Sequence, residues 1–194
     1  SISGGTQPVS ATDRAIRNDT IHTPDGPQAY EAPRRLRGDE LPGIIELFRQ
    51  AALRARAVGF DGAEIHGAHG YLIDQFLRSD SNDRDDEWGG PIENRARLLL
   101  AITDAVTGVF GAGRVGVRIS PLSPYNDMRD ADPPALVAHV ARELDAVPAR
   151  RLGSRAWVEF ERAQHAEEGR RQDVPRHRPR RLVKARASMK LPNR

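Results

Sequence analysis

What most restricts this chain's fold is a repeated alternation of long amphipathic stretches with short β-branched ones. From Asp39 to Val58, the residues Ile44, Ile45, Phe48, Ala51, Ala52, Ala55 and Val58 recur at three- and four-residue steps. That spacing gives a helix one apolar face. Asp39 or Glu40 starts it and Gly59 is a natural stop. Phe60-Asp61-Gly62 then turns the chain into a short strand, Ala63-Glu64-Ile65-His66. A tight loop, Gly67 to Gly70, leads to a short helical stretch from Tyr71 to Leu77. Glu93 to Phe110 reads as a second long helix, with Leu98, Leu99, Ile102, Ala105, Val106 and Val109 turned inward. Gly111 and Gly113 end it, and Val115-Gly116-Val117-Arg118-Ile119 is the clearest strand. A further helix is expected from Pro133 or Pro134, as its first-turn proline, to about Leu144. Helix, strand, helix, strand, helix in this order means an α/β fold: a parallel sheet with crossover helices.

Both ends of the chain depart from this alternation. Residues 1–38 are rich in Gly, Pro, Ser, Thr and charge, and Pro8, Pro24, Pro27 and Pro33 interrupt any helix. A long surface loop with little core of its own is expected there. After Leu144 the alternation calls for a strand, and none is read. The best window, Ala156-Trp157-Val158-Glu159-Phe160, is short. Charge changes at the same place. Residues 1–147 hold 16 Lys/Arg against 22 Asp/Glu, and residues 148–194 hold 14 against 5. The net charge of +3 therefore averages an acidic body and a basic, disordered tail. The expected division is 1–147 and 148–194.

There is no cysteine, which excludes disulfides, thiolate metal sites and cysteine nucleophiles. No apolar run approaches the ~20 residues of a membrane span. Ser1-Ile2-Ser3-Gly4-Gly5 has no basic-then-apolar signal segment. A cytoplasmic protein with no membrane partner is expected.

The segment His66-Gly67-Ala68-His69-Gly70-Tyr71 stands directly after a strand's C-terminal end, where parallel α/β folds place their sites. Two imidazoles three residues apart and a phenol offer donors to an anionic or carbonyl oxygen, and a proton to follow. The plainer alternative is a histidine pair capping a loop beside a tyrosine packed at a helix start. Spacing supplies no third ligand for a metal.

Gly59-Phe60-Asp61-Gly62-Ala63-Glu64-Ile65-His66-Gly67-Ala68-His69-Gly70-Tyr71-Leu72, with Gln75-Phe76-Leu77, resembles the core motif of the Old Yellow Enzyme family. Ser81-Asn82-Asp83-Arg84, Gly89-Gly90 and Glu93-Asn94-Arg95-Ala96-Arg97 resemble the family's next signature. Val115 to Pro121 and Asn126-Asp127-Met128 resemble the one after that, and Gly4-Gly5 with Pro8-Val9-Ser10-Ala11 the loop before the first helix. The resemblance runs in order from about residue 4 to about residue 145. It implies FMN-dependent NAD(P)H oxidoreductases, or ene-reductases, on a TIM barrel. By that resemblance His66 and His69 bind the oxygen of an activated alkene. Tyr71 protonates the α-carbon, after hydride has come from the flavin N5 in a ping-pong cycle with NADPH or NADH. Arg118 lies beside the flavin N1 and C2 carbonyl, with a structural ion pair as its alternative role. Asn82, Arg84, Asp86, Asn94 and Arg95 brace a loop against a helix, and Gly89-Gly90 make a turn before that helix. Trp88, Asp85 and Pro91, and Thr12-Asp13-Arg14 in the first loop, depart mildly from the family pattern.

A complete (β/α)8 barrel takes about 250 residues. The expectation is therefore a partial (β/α)8 TIM barrel, its middle βα units only, followed by the basic tail. Two open strand edges would favour self-association. The change after Leu144 suggests a shifted reading frame or a truncated gene. One alternative function is thus an inactive remnant that binds no flavin. Another is a nucleic-acid-binding protein acting through its tail, where only Trp157 and Phe160 offer stacking surfaces.

Overall fold

The computed structural model describes residues 7–17 and 19–146, and the backbone of 158–160. The expected alternation is present. Helix α1 spans Leu41–Ala57, strand β5 Ala63–Gly67, helix α2 Leu72–Leu77, helix α3 Ile92–Phe110, strand β6 Val115–Ile119 and helix α4 Pro133–Ala146. Strands β5 and β6 pair in parallel, with Ile65 opposite Val117 and His66 opposite Arg118. The protein is α/β.

A strand does follow α4, contrary to expectation. Strand β7, Val158–Phe160, pairs in parallel with β6, Val117 opposite Val158. The sheet order is β5-β6-β7. A three-residue strand carries too little pattern to stand out within an arginine-rich stretch, and its pairing partner supplies what the pattern lacks. The rest of the expected tail lies outside the described residues.

The N-terminal segment also differs from the expected loop. Strand β1, Val9–Ser10, pairs in parallel with β4, Arg34–Arg35. Strands β2, Thr20–Thr23, and β3, Gly26–Ala29, form an antiparallel hairpin. Its turn uses Pro24-Asp25-Gly26, a proline-to-glycine turn sequence, and the Thr23 hydroxyl donates to the Gly26 carbonyl at 2.8 Å. Pro27 sits opposite His22 in a two-stranded ribbon, where a missing N–H is tolerated. Around these strands Ser10, Ala11, Thr12 and Leu36 are buried, so the segment contributes to the core.

Helix α1 packs Ile44, Ile45, Phe48, Ala52 and Ala55 on the core, while Ala51 and Val58 of the expected face are exposed. Helix α3 is the centre of the packing. Leu98, Leu99, Ile102, Val106 and Val109 are buried as expected, and Leu100, Thr103, Thr107 and Phe110 are buried too. A helix packed on α1, α2, α4 and the sheet has little face left for solvent. The turn between α1 and β5 touches the backbone just before β6: a Cβ on Gly62 would collide with the Arg114 carbonyl, and the Ala63 amide donates to that same oxygen at 2.9 Å.

Three buried arginines tie the loops to these elements. Arg78, with Asp74 at 2.9 Å, also donates to the carbonyls of Pro121 at 2.5 Å and of Ser120, both beyond the end of β6. Arg84 holds Asp86 and the Leu36 carbonyl, the latter at 2.5 Å. Arg95 holds Asp130 at 2.6 Å and the Gly90 carbonyl at 3.0 Å. The Asn82 amide donates to the Phe76 and Trp88 carbonyls at 2.7 and 2.8 Å. Asn82, Arg84, Asp86 and Arg95 therefore brace the loop, whereas the Asn94 side chain accepts from Arg97 on its own helix. Gly89 and Gly90 make the turn before α3, Gly90 with a φ of 78°.

Removing one partner of a buried ion pair leaves the other charge uncompensated, at a cost of about 3–5 kcal/mol. Arg78→Ala is expected to lose that much stability in urea unfolding. Arg49→Ala, which breaks the exposed Arg49–Glu46 pair, should leave the unfolding midpoint nearly unchanged. Equal losses in the two variants would contradict a structural role for Arg78.

Candidate active site

Side chains alternate along a strand, so β5 and β6 each present two sets of residues. Ile65, Val115, Val117 and Ile119 are buried against the helices. Glu64 and His66 on β5, and Gly116 and Arg118 on β6, form the opposite set. Register places His66 beside Arg118 and Glu64 beside Gly116.

The chain leaves β5 through Gly67-Ala68-His69-Gly70 and enters α2 at Tyr71. His69 and Gly70 both take positive φ, 59° and 74°. Side chains hold the polar groups of this turn. The His69 amide donates to Ser120 Oγ at 2.8 Å, and the Gly70 amide to Asp74 Oδ2 at 3.0 Å. The His69 carbonyl accepts from Asn126 Nδ2, and the Gly70 carbonyl from Gln75 Nε2, each at 2.8 Å. Ser10 Oγ donates to Gln75 Oε1 at 2.8 Å, which brings β1 into the same network.

The turn brings three of the expected residues together. The His66 and His69 rings lie 5.8 Å apart, and the His66 and Tyr71 rings 5.3 Å apart. Tyr71 is exposed, at 57%. Arg118 joins them through its register with His66. Tyr125 stands 6.3 Å from the His69 ring and was not among the expected residues. Neither were Ser120, Asn126 and Tyr30 as site residues. Asn126-Asp127, just past a strand's C-terminal end, was the available signal, since both take positive φ, 58° and 62°.

A cavity of about 520 Å³ opens beside this cluster. Tyr30, Tyr71, Tyr125, Asn126, Arg17 and Gln75 are among its lining residues, while His66, His69 and Arg118 are not. Partial burial raises the Tyr30 phenol above its ordinary value, and Asp19, Tyr125 and Tyr71 add to the effect. The arrangement offers neutral and cationic donors to an electron-rich oxygen, and a phenol that can release a proton into a space large enough for a small organic molecule.

Partial desolvation, then the nearby His69 and Arg118, hold the His66 imidazole below its usual range, against the pull of Glu64 and Asp74. A lowered folded value means the unfolded chain takes up a proton first as pH falls. The associated stability is present above the ordinary value of about 6.5 and is lost below it. In an NMR titration, the His66 Cε1 proton should show a midpoint below that of a free histidine. Arg118→Ala should move it up and Glu64→Gln further down. An unmoved midpoint in Arg118→Ala would show that the guanidinium does not act on this ring.

The family model of the NADH:flavin oxidoreductase / NADH oxidase family matches residues 5–191. That span continues beyond residue 147, into the basic stretch. The 12-oxophytodienoate reductase 1 of Oryza sativa subsp. japonica is 48% identical over 144 residues, 74% of this chain and 37% of that protein. The 12-oxophytodienoate reductase 7 of the same organism is 50% identical over 145 residues, again 74% and 37%. Among solved structures, the old yellow enzyme homologue from Zymomonas mobilis superposes with a TM-score of 0.70 at 39% identity, covering 73% of this chain and 40% of that one. Morphinone reductase in complex with tetrahydroNAD superposes with a TM-score of 0.73 at 40% identity, covering 80% and 43%. The chain thus spans about 37% of the length of the curated relatives, and it belongs to the NADH:flavin oxidoreductase / NADH oxidase family.

Proposed function

We propose that this protein acts as an FMN-dependent NAD(P)H oxidoreductase of the ene-reductase type, with the sheet as part of a (β/α)8 barrel. The observation that carries the reading is the contiguous set His66, His69 and Tyr71 at the end of β5, with Arg118 in register beside His66. The relatives' names support it: 12-oxophytodienoate reductases, and a morphinone reductase that holds tetrahydroNAD.

The donor set fits a flavin. Arg118 is a permanent cation on the half-buried face of β6, where it would compensate the negative charge of a reduced flavin's pyrimidine edge. Gly116, one step earlier on the same face, leaves that face low: among the described residues, a Cβ there would meet only Glu64 Cγ, at 3.8 Å. When bound, FMN supplies the hydride carrier between the nicotinamide and the substrate.

The chain's own residues would do the rest. His66 and His69 donate hydrogen bonds to the carbonyl or nitro oxygen of an activated alkene. This lowers the cost of the negative charge that gathers there. The His66 imidazole is neutral at pH 7, so it donates from a ring nitrogen without having to lose a proton. Tyr71 gives a proton from its hydroxyl to the α-carbon, and its exposure to the cavity side leaves that hydroxyl reachable by solvent for reprotonation. The substrate's remaining bulk occupies the cavity beside Tyr71 and Tyr125.

A visible-absorbance titration of the full chain with FMN tests the proposal. The expected result is a flavin band shifted on binding, bleached by NADPH or NADH and restored by cyclohexenone. Tyr71→Phe should keep the bleaching and slow the recovery by ~10²-fold or more, the usual contribution of a general acid. An unperturbed flavin spectrum at saturating FMN would overturn it, in favour of a chain that keeps the motif without the cofactor.

A further inference from the structure

We propose that Tyr30 and Asn126 are positioning residues that set the His69 imidazole, acting through the single turn of backbone that carries it. The inference rests on the reading of His66 and His69 as the oxygen-binding pair. His69 is neither glycine nor asparagine, yet its φ is 59°. A residue with a Cβ in the left-handed region is strained and persists only where its surroundings over-determine it. Here the His69 amide is held by Ser120 and the carbonyl by Asn126.

Asn126 differs from the other clamps in what holds it. It is buried, it is itself left-handed at φ 58°, and its Oδ1 accepts from the Tyr30 hydroxyl at 3.3 Å. An amide has one carbonyl and one NH2 end. With Oδ1 turned to the Tyr30 hydroxyl, Nδ2 must face the His69 carbonyl, where it stands at 2.8 Å. The opposite orientation would set two oxygens against each other at that carbonyl. The His69 carbonyl, which only accepts, therefore selects the orientation of the amide, and the Tyr30 hydroxyl donates to the Oδ1 that this orientation turns toward it, anchoring the clamp from its far side.

Sterics reinforce the selection. A Cβ on Gly70 would lie 2.5 Å from Asn126 Cβ, so the turn and Asn126 are packed without spare room. Tyr30 immediately follows β3 and lines the cavity beside Tyr71. The N-terminal hairpin is thus joined by two hydrogen bonds to the turn that aims His69, although 96 residues separate Tyr30 from Asn126.

The test uses the full chain and three variants: Asn126→Gly, which keeps the left-handed backbone and adds no charge, Tyr30→Phe, and the double variant. Phenol serves as the oxygen-bearing probe, with its affinity for the FMN-loaded protein read from flavin absorbance. Independently of FMN, the His69 Cε1 proton resonance is followed by NMR. Asn126→Gly should weaken phenol about tenfold, as loss of one hydrogen bond's worth of alignment does, with FMN affinity unchanged. Tyr30→Phe should act in the same direction with a smaller factor, and should have no further effect once Asn126→Gly is in place. Both single variants should shift the His69 resonance. An unmoved resonance in Tyr30→Phe, or full additivity of the two changes, would overturn the proposal. If Asn126→Gly fails to fold, Tyr30→Phe alone decides by the same resonance. If the unmodified chain takes neither FMN nor phenol, the oxygen-binding reading falls, and the resonance still decides whether Tyr30 and Asn126 aim His69.

Discussion

The buried ion pair of Arg78 with Asp74 is the interaction on which the arrangement of loops depends. Both side chains are about 2% exposed or less, and each does a second job. Asp74 accepts the Gly70 amide, and Arg78 reaches the backbone carbonyls after β6. A guanidinium has five donors and no acceptor, so in a buried place it gathers several backbone carbonyls at once. Helix α2 is only six residues long and would not hold itself in place. Pinned by this pair, it becomes a rivet between the loop after β5 and the loop after β6. Burial pushes the Asp74 carboxyl up, while Arg78 and the Gly70 amide pull it back. An ion pair so placed contributes little net stability compared with an apolar filling, and what it supplies is a defined geometry.

That geometry is where sheet and chemistry meet. The two-residue alternation of β5 and β6 sends the aliphatic side chains to the helices and leaves His66 and Arg118 on the other face. Neither residue is near the other in sequence. Parallel pairing brings them side by side because a crossover helix returns the chain to the same end of the sheet. The turn after β5 then adds His69 and Tyr71 within one ring's reach. Its unusual backbone is tolerated because Ser120, Asn126, Asp74 and Gln75 each take one of its polar groups.

How much of this is legible in the sequence depends on the range of the interaction. Leu98, Leu99 and Ile102 announce their helix by spacing alone, and Val115 to Ile119 announces its strand. His66, His69, Tyr71 and Arg118 are read from local motifs. The β2–β3 hairpin escapes, although Pro24-Asp25-Gly26 carries its turn, because Pro27 looks like a breaker until its strand is known to be half of an isolated ribbon. β7 escapes because three residues carry no period. The Pro121 carbonyl that Arg78 reaches, and the partners of Ser120 and Tyr30, leave no local sign, for they lie 43, 51 and 96 residues away. Ala51 and Val58 are misplaced because a helix face is fixed by what it packs on, and periodicity alone leaves its edges open.

The parallel register has a consequence for how such a site comes into being. The amide of His69 and the hydroxyl of Ser120 are separated by 51 residues, and the whole of α2 and α3 lies between them. Closing a loop of that size loses chain entropy before any contact is returned. The packing of α2 and α3 on the sheet has to offset that loss for His66 and Arg118 to stay neighbours. The candidate site is thus built across a crossover, and each of its halves, His66 with its turn and Arg118 with Ser120, depends on the neighbouring strand for its register.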